Sequence, residues 1–376
     1  MRIGLNLLHA MPEIGGGWNY IWNLVKGIGE YDTVNTYIAY VTKKSAPMLP
    51  ENNRFVPVQI NIDPVTRVKR VACENTVLQS IARKHKLDCM HWFANTHAIL
   101  NTVPGVVSLY DLQPFLNLHK WSFLKRTWLQ SMISHTVRRA SVLLPMSYAT
   151  AQDLERFLHA DPTRMTVIPA ILGKDFLPGR EEEIYSFRER YGLPDRFWLY
   201  VAHFNPHKNH QRLLEAFRIL KEDGFSSWPL VLRGDYGGED AVKKTIQEFR
   251  LEDQVIFLPR LEVKELPILY STATALVFPS LYEGGGIPVI EALACGCPVL
   301  AANIPATSEY ADSAAKYFDP MDTSSIVRAI LEFQSDMGIR ESLREAGLAR
   351  AAEFRGEKIV PKLIEAYGKA CRERVQ

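Results

Sequence analysis

The sequence predicts an α/β protein built from two consecutive doubly wound domains, and three observations predict it. Short apolar runs alternate with helix-length amphipathic segments along nearly the whole chain, the pattern of a parallel sheet covered by helices on both faces. The series weakens between Gly173 and Asp195, where Pro178, Gly179, three consecutive glutamates and Gly192-Leu193-Pro194 read as a linker, and then resumes. The length of 376 residues is too great for one ordinary domain and comfortable for two.

In chain order, the first strand is expected at Ile3–Leu8, followed by a glycine loop and a helix near Trp18–Glu30 whose Ile21, Leu24, Val25 and Ile28 share one face. Further strands are expected at Tyr37–Val41, Leu87–Phe93, Val106–Tyr110, Val142–Met146 and Met165–Pro169. The second series runs Trp198–Ala202, Leu230–Arg233, Val255–Pro259, Ala275–Pro279, Pro298–Ala301 and Lys316–Phe318, with helices at Asn209–Lys221 and Pro288–Ala294. Helical segments near 324–333, 340–352 and 357–374 close the chain. The expected boundaries are 1–175 for the N-terminal domain, 195–355 for the C-terminal domain and 356–376 for a final helix. Ligands of such domains bind at the carboxyl ends of the strands, and two domains in succession leave a cleft there.

Composition narrows the function. Apolar residues make up 47% and charged residues 23%, with a net charge of +2, so no general attraction to nucleic acid is expected. No run of about 18 apolar residues is present, and the N-terminus turns polar too quickly for a signal peptide. Five cysteines, at 73, 89, 295, 297 and 371, fit neither a zinc site nor a redox pair and read as reduced thiols of a cytoplasmic protein.

Chemistry concentrates in three segments. In Phe278-Pro-Ser-Leu-Tyr-Glu283-Gly-Gly-Gly-Ile-Pro-Val-Ile-Glu291-Ala-Leu-Ala-Cys-Gly-Cys-Pro-Val299 a strand enters a triple-glycine turn and a helix opens at Pro288. Gly284, Gly285 and Gly286 let main-chain amides approach a ligand, and the helix start favours anionic oxygens. A carboxylate suits hydroxyls and repels phosphate, so Glu283 is assigned to a sugar, Glu291 to a ribose and the glycine amides to phosphates. The second segment, Ala202-His203-Phe-Asn-Pro-His207-Lys208-Asn-His210, offers Lys208 as a mobile charge for a diphosphate. Its three histidines have no known ligand spacing and no nearby carboxylate, so no metal is expected. The third, Pro12-Glu-Ile-Gly15-Gly16-Gly17-Trp18, lacks the G-x-G-x-x-G spacing of a dinucleotide fingerprint and reads as a loop facing a ligand.

Together these segments resemble the large retaining glycosyltransferase family with the GT-B fold that is numbered four, particularly its bacterial mannosyltransferase-like members. The recurrent E-G-F-G-x-P-x-x-E-A-x-A-x-G-x-P-V is carried by Glu283, Glu291, Ala292, Gly296, Pro298 and Val299, the R-K-N by His207-Lys208-Asn209, and the N-terminal G-G by Gly15-Gly16. Ile304-Pro-Ala-Thr-Ser-Glu309 and Ala315–Pro320 extend the likeness. Three departures stand out: Gly285 replaces a phenylalanine, His203 a basic residue after the first C-domain strand, and Tyr110, in Val107-Ser-Leu-Tyr110-Asp111-Leu112, the histidine of His-Asp-Leu.

The resemblance implies two Rossmann-like domains, 1–175 binding the acceptor and 195–355 the nucleotide-sugar donor, with a final helix crossing back to the first. It implies Glu283, Lys208 and Tyr110 as catalytic residues. His203, Lys208, Arg260, Leu261, Glu283, the Gly284–Gly286 amides, Glu291, Gly16 and Gly17 would bind the donor, with the base met by the main chain at Arg260-Leu261. It implies retention through a front-face path without metal or other cofactor, and a hexose, first of all mannose from GDP-mannose, passing to a glycan or lipid-linked acceptor in surface polysaccharide assembly. His119-Lys120-Trp-Ser-Phe-Leu-Lys125-Arg126-Thr-Trp128 reads as a basic, aromatic-rich helix. It either lies on anionic lipid, placing the protein peripherally at a membrane, or turns its aromatics inward. Arg67–Arg70 and Arg83–Lys86 form a second basic cluster. Two rival readings of the same plan are a nucleotide-sugar epimerase and a catalytically degenerate nucleotide-binding scaffold.

Overall fold

A computed structural model describes residues 1–10, 16–62, 66–116, 118, 121–225, 228–234 and 238–372. The chain divides into two compact units, Met1–Ile171 with Arg355–Gln376, and Leu172–Phe354.

In the first unit the order is β1 (Arg2–Asn6), α1 (Gly16–Tyr31), β2 (Thr36–Val41), β3 (Phe55–Gln59), α2 (Arg67–Asn75), α3 (Val77–Lys84), β4 (Cys89–Trp92), β5 (Gly105–Leu109), α4 (Gln113–Leu116), α5 (Phe123–Arg139), β6 (Val142–Pro145) and α6 (Tyr148–Leu158). The strands are all parallel, in the order β3-β2-β1-β4-β5-β6. Strands β4, β5 and β6 are buried at every position, as a sheet covered on both faces requires. The edge strand β3 carries no clear strand signal in the sequence, because Phe-Val-Pro-Val-Gln is mostly exposed and contains Pro57, which only an edge tolerates.

The expected strand at Met165–Pro169 does not form. Its stretch makes one bridge to β6, with Thr166 N donating to Leu143 O and Ile168 N to Pro145 O. Pro145 has no N–H to return a bond to Thr166, so the ladder stays one-sided.

The second unit runs α7 (Glu181–Tyr191), β7 (Trp198–Val201), α8 (His210–Glu222), β8 (Leu230–Arg233), α9 (Glu239–Glu248), β9 (Val255–Phe257), α10 (Leu266–Thr272), β10 (Ala275–Phe278), α11 (Ile287–Ala294), β11 (Val299–Ala302), α12 (Pro305–Ala311), β12 (Ala315–Phe318), α13 (Thr323–Ser335) and α14 (Met337–Ala351). The parallel sheet order is β12-β11-β10-β7-β8-β9, which repeats the topology of the first unit. Part of the stretch expected to be a linker is the helix α7, started by Arg180 and Glu183 in a capping box and ended by Gly192 in the left-handed region.

The last helix, α15 (Gly356–Arg372), belongs to the first unit and packs on α1. Its Tyr367 hydroxyl meets His91 Nδ1 at 2.8 Å, His91 Nε2 meets Ser108 Oγ at 2.8 Å, and Ser108 meets the Tyr20 hydroxyl at 3.4 Å. Burial holds the His91 imidazole neutral, its pKa lowered to about 3. One of its nitrogens therefore donates while the other accepts, and the chain of bonds ties α15, β4, β5 and α1 together.

Candidate donor-binding site

In a doubly wound sheet the strand order reverses at one place, and the loops leaving the two flanking strands diverge there to open a crevice. In the second unit that place lies between β7 and β10, paired at Trp198–Ala275 and Leu199–Leu276. Two of the segments singled out in the sequence leave the carboxyl ends of these strands.

Main-chain and side-chain bonds join the two loops. After β7 the chain turns through a short 3-10 segment, Pro206–Lys208, into Asn209, which has a left-handed φ of 60° and starts α8. Asn209 Nδ2 donates to Pro279 O at 3.0 Å and to Pro320 O at 2.9 Å. Leu281 N donates to His207 O at 2.8 Å, and the Tyr200 hydroxyl donates to Lys208 O at 2.6 Å. The asparagine of the family-like K-N pair thus acts on loop geometry, while the lysine points to the strand-end crevice.

Lys208 Nζ reaches Glu283 Oε1 at 2.6 Å, with only 13% and 11% of the two side chains exposed. It also lies 5.7 Å from the centre of the Phe278 ring. The sequence assigns Lys208 to a diphosphate and Glu283 to a sugar; the structure brings them together as one ion pair. Half-buried pairs with direct contact hold their geometry far better than exposed ones.

Beyond Glu283, Gly284, Gly285 and Gly286 are buried and lead into α11, whose first internal bond runs from Ile290 N to Gly286 O at 2.9 Å. The preceding amides have no acceptor within the helix, which marks its start as favourable for anionic oxygens. The helix stops at Cys295 because Gly296 turns left-handed, φ 70°, as a helix end commonly demands of glycine. That accounts for the glycine in the family-like string.

Glu291 sits on α11 and is 5% exposed. Its Oε2 accepts from the Tyr270 hydroxyl at 2.9 Å. Burial raises its pKa to about 7, against the lowering effects of the Tyr270 bond and the Arg233 charge. Arg233, at the end of β8, also donates to Leu261 O at 3.4 Å. Neither Tyr270 nor Arg233 was singled out in the sequence. Arg233 carried a readable signal, a cation closing a predicted strand, whereas Tyr270 is brought in only by the tertiary fold. Leu261 is buried and Arg260 exposed; His203 is half-buried, with its carbonyl accepting from Asn205 N at 2.8 Å. His207 and His210 are buried, and burial lowers the His210 pKa to about 3. Among the described residues no group of three His, Cys, Asp or Glu side chains could hold a metal.

The remaining expected residues lie in the first unit. Gly16 and Gly17 open α1, while Gly15 falls outside the described residues. Tyr110 follows β5, its N–H bound to Asn95 Oδ1 at 2.7 Å and its ring edge-on to Tyr20 with centres 5.0 Å apart. Its hydroxyl is buried with no hydrogen-bond partner, and burial pushes its pKa well above the usual tyrosine range. The basic aromatic segment forms α5, which begins at Phe123 and not at His119; His119 and Lys120 lie outside the described residues. Phe123 and Leu124 are each 80% exposed and Lys125 and Trp128 are exposed, whereas Arg126 folds back to donate to Pro114 O at 3.0 Å.

Residues 182–350 match the family model described as glycosyl transferases group 1. That segment is a glycosyltransferase group 1 domain. It spans β7 to β12 and so contains Lys208, Arg233, Tyr270, Glu283 and Glu291. A relative from Escherichia coli, O-antigen chain mannosyltransferase B, is 28% identical over 242 residues, 64% of this chain and 64% of that protein. The match thus reaches somewhat under two thirds of the relative's length. Sucrose-phosphate synthase from Thermosynechococcus elongatus shares the fold with a TM-score of 0.78 at 19% identity, covering 98% of each chain. Anabaena HepE, solved with UDP and glucose, does so with a TM-score of 0.76 at 16% identity, covering 98% of this chain and 99% of that one. The expected GT-B class, two doubly wound parallel sheets, is thereby established.

Glu291 generates a pH prediction. Its folded pKa of about 7 lies above the ordinary 4.5, so the native state holds the extra proton between those values. The stability it contributes is complete below about pH 4.5 and is lost as pH rises through about 7. Glu291→Gln keeps an acceptor for Tyr270 but cannot ionise. Chemical denaturation should show the variant gaining about 1–3 kcal/mol relative to the parent between pH 5 and 8; a pH-independent difference would contradict the assignment.

Proposed function

We propose that this protein transfers a hexose from a nucleotide sugar to a hydroxyl of a growing glycan or lipid-linked oligosaccharide, with retention at the anomeric carbon. The observation that carries the reading is the Lys208–Glu283 pair at the crevice between β7 and β10, inside the segment that matches the glycosyltransferase model. Mannose is the preferred sugar, supported by the name of the Escherichia coli relative, and GDP-mannose its expected carrier.

In this reading the donor diphosphate competes with Glu283 for Lys208 and takes the amides at the start of α11. Glu283, released from the ion pair, accepts hydroxyl protons of the sugar, and Glu291 accepts those of the ribose. The bond between the anomeric carbon and the phosphate oxygen breaks, the acceptor oxygen bonds to the same face of that carbon, and its proton passes to the departing phosphate. Charge grows on the leaving group, so fixed cationic and amide groups aimed at it lower the barrier. Lys208 and the helix start supply this without a divalent cation, and no cofactor is required. Tyr110 brings a buried, unpartnered hydroxyl to the end of β5 in the first unit, which suits a bond to a sugar. The exposed Phe123 and Leu124, together with Lys125, suit peripheral contact with an anionic membrane that carries a lipid-linked acceptor.

Glu283→Ala should reduce transfer from GDP-mannose at least about a hundredfold with the unfolding transition preserved; unchanged turnover would sink the assignment. A Phe123→Ser/Leu124→Ser/Lys125→Glu variant should sediment several-fold less with anionic vesicles than the parent, with equal sedimentation refuting the membrane contact.

A further inference from the structure

The first unit has its own reversal of strand order, between β1 and β4. Gly16 and Gly17 open the helix that follows β1, and in the same unit polar groups are buried without hydrogen-bond partners. His9, three residues beyond β1, is 4% exposed, and neither ring nitrogen makes a well-formed hydrogen bond, although a looser contact with the main chain of Phe93 favours the charged ring. The ring faces the main chain of Phe93, just beyond β4, and the charge of Arg70. Burial first, and that charge second, lower the His9 pKa to about 3, so the imidazole is neutral with one donor and one acceptor nitrogen.

Arg70 and Glu74 stand beside it on α2. Arg70 Nε forms a long ion pair with Glu74 Oε1 at 3.8 Å, outside hydrogen-bond range, and is itself buried with no hydrogen-bond partner. Glu74 Oε1 accepts from Asn6 Nδ2 at 3.0 Å, and Asn6 Oδ1 takes the Leu8 N–H at 3.3 Å, so the end of β1 fixes the carboxyl group. Burial raises the pKa of Glu74. The side chains of Arg70 and Glu74 retain 18% and 14% exposure, leaving a path from solvent.

Unpaired buried donors and acceptors each cost free energy and are retained where a ligand completes them. Here a cationic donor stands 3.8 Å from a carboxyl acceptor and within electrostatic reach of a neutral imidazole. A phosphate would be repelled by Glu74 and a bare cation by Arg70. A pair of neighbouring hydroxyls, each both donor and acceptor, satisfies all three. We propose that His9, Arg70 and Glu74 form a subsite for an uncharged sugar residue of the acceptor, reading two adjacent hydroxyls at the β1–β4 reversal. This rests on the glycosyl-transfer reading and names what selects its acceptor.

The test uses the full chain and saturation-transfer NMR with methyl α-mannoside, methyl α-glucoside, methyl α-galactoside and methyl N-acetyl-α-glucosaminide. At least one glycoside should give signal. Arg70→Gln and Glu74→Gln should each weaken it about tenfold or more, while calorimetric binding of GDP, UDP or dTDP stays as in the parent. Arg70 and Glu74 retain some exposure, 18% and 14% of their side chains, so these two replacements disturb the core less than His9→Asn does. Glycoside signals unchanged in both variants, no signal with any glycoside, or displacement of the glycoside by inorganic phosphate would each overturn the subsite. Loss of nucleotide binding by the parent, with glycoside binding intact, would instead count against the transferase reading.

Discussion

The 2.6 Å contact between Lys208 Nζ and Glu283 Oε1 joins residues 75 positions apart in the chain, and it exists because β7 and β10 are adjacent parallel strands. A parallel strand must leave the sheet at its carboxyl end and return by a covering helix, so neighbouring loops gather along one edge. Where the order reverses, the loops part and leave side chains facing a crevice. Asn209 and the Leu281 amide lock the two loops to each other, and Tyr200 holds Lys208 O to its own strand. The charged pair is therefore held by a rigid frame, and a ligand that exchanges partners with it meets groups already in position.

The same topology occurs twice, and the two reversals differ in how their polar groups are satisfied. In the second unit the cation and carboxylate pair directly, and the deeper Glu291 is met by Tyr270 and the field of Arg233. In the first unit Glu74 is held by Asn6 and paired at 3.8 Å with Arg70, while the ring of His9 and the Nε of Arg70 make no well-formed hydrogen bond. Burial perturbs the ionisable groups of both places in the same sense, toward their neutral forms, so Glu291 and Glu74 rise and His9 falls. Perturbed groups gathered at strand ends are where binding chemistry is to be sought.

Much of this was legible in the sequence. Doubly buried strands such as Val142–Pro145 and Ala275–Phe278 announce themselves as continuous apolar runs, and the helix from Gly16 to Tyr31 shows its apolar stripe at Ile21, Leu24, Val25 and Ile28. Lys208, Glu283 and Glu291 were readable because glycine, proline and charge fall together after apolar runs. The exposed edge strand at Phe55–Gln59 was not, because its packing is one-sided and its proline argues against a strand. Tyr270, Arg233, His9 and Glu74 become meaningful only when distant segments meet, and nothing local in their neighbourhoods distinguishes them from core aromatics or surface charges. The reverse error came at Met165–Pro169, where a strand-like composition met a proline neighbour in β6 that could not complete the ladder.

The most direct test of the donor site is calorimetric titration of the full chain with GDP, UDP and dTDP, each with and without EDTA. One nucleotide, GDP in the first place, should bind with an affinity that EDTA leaves unchanged. Absence of binding by all three, or binding that EDTA abolishes, would contradict a metal-free diphosphate site built on Lys208 and the start of α11.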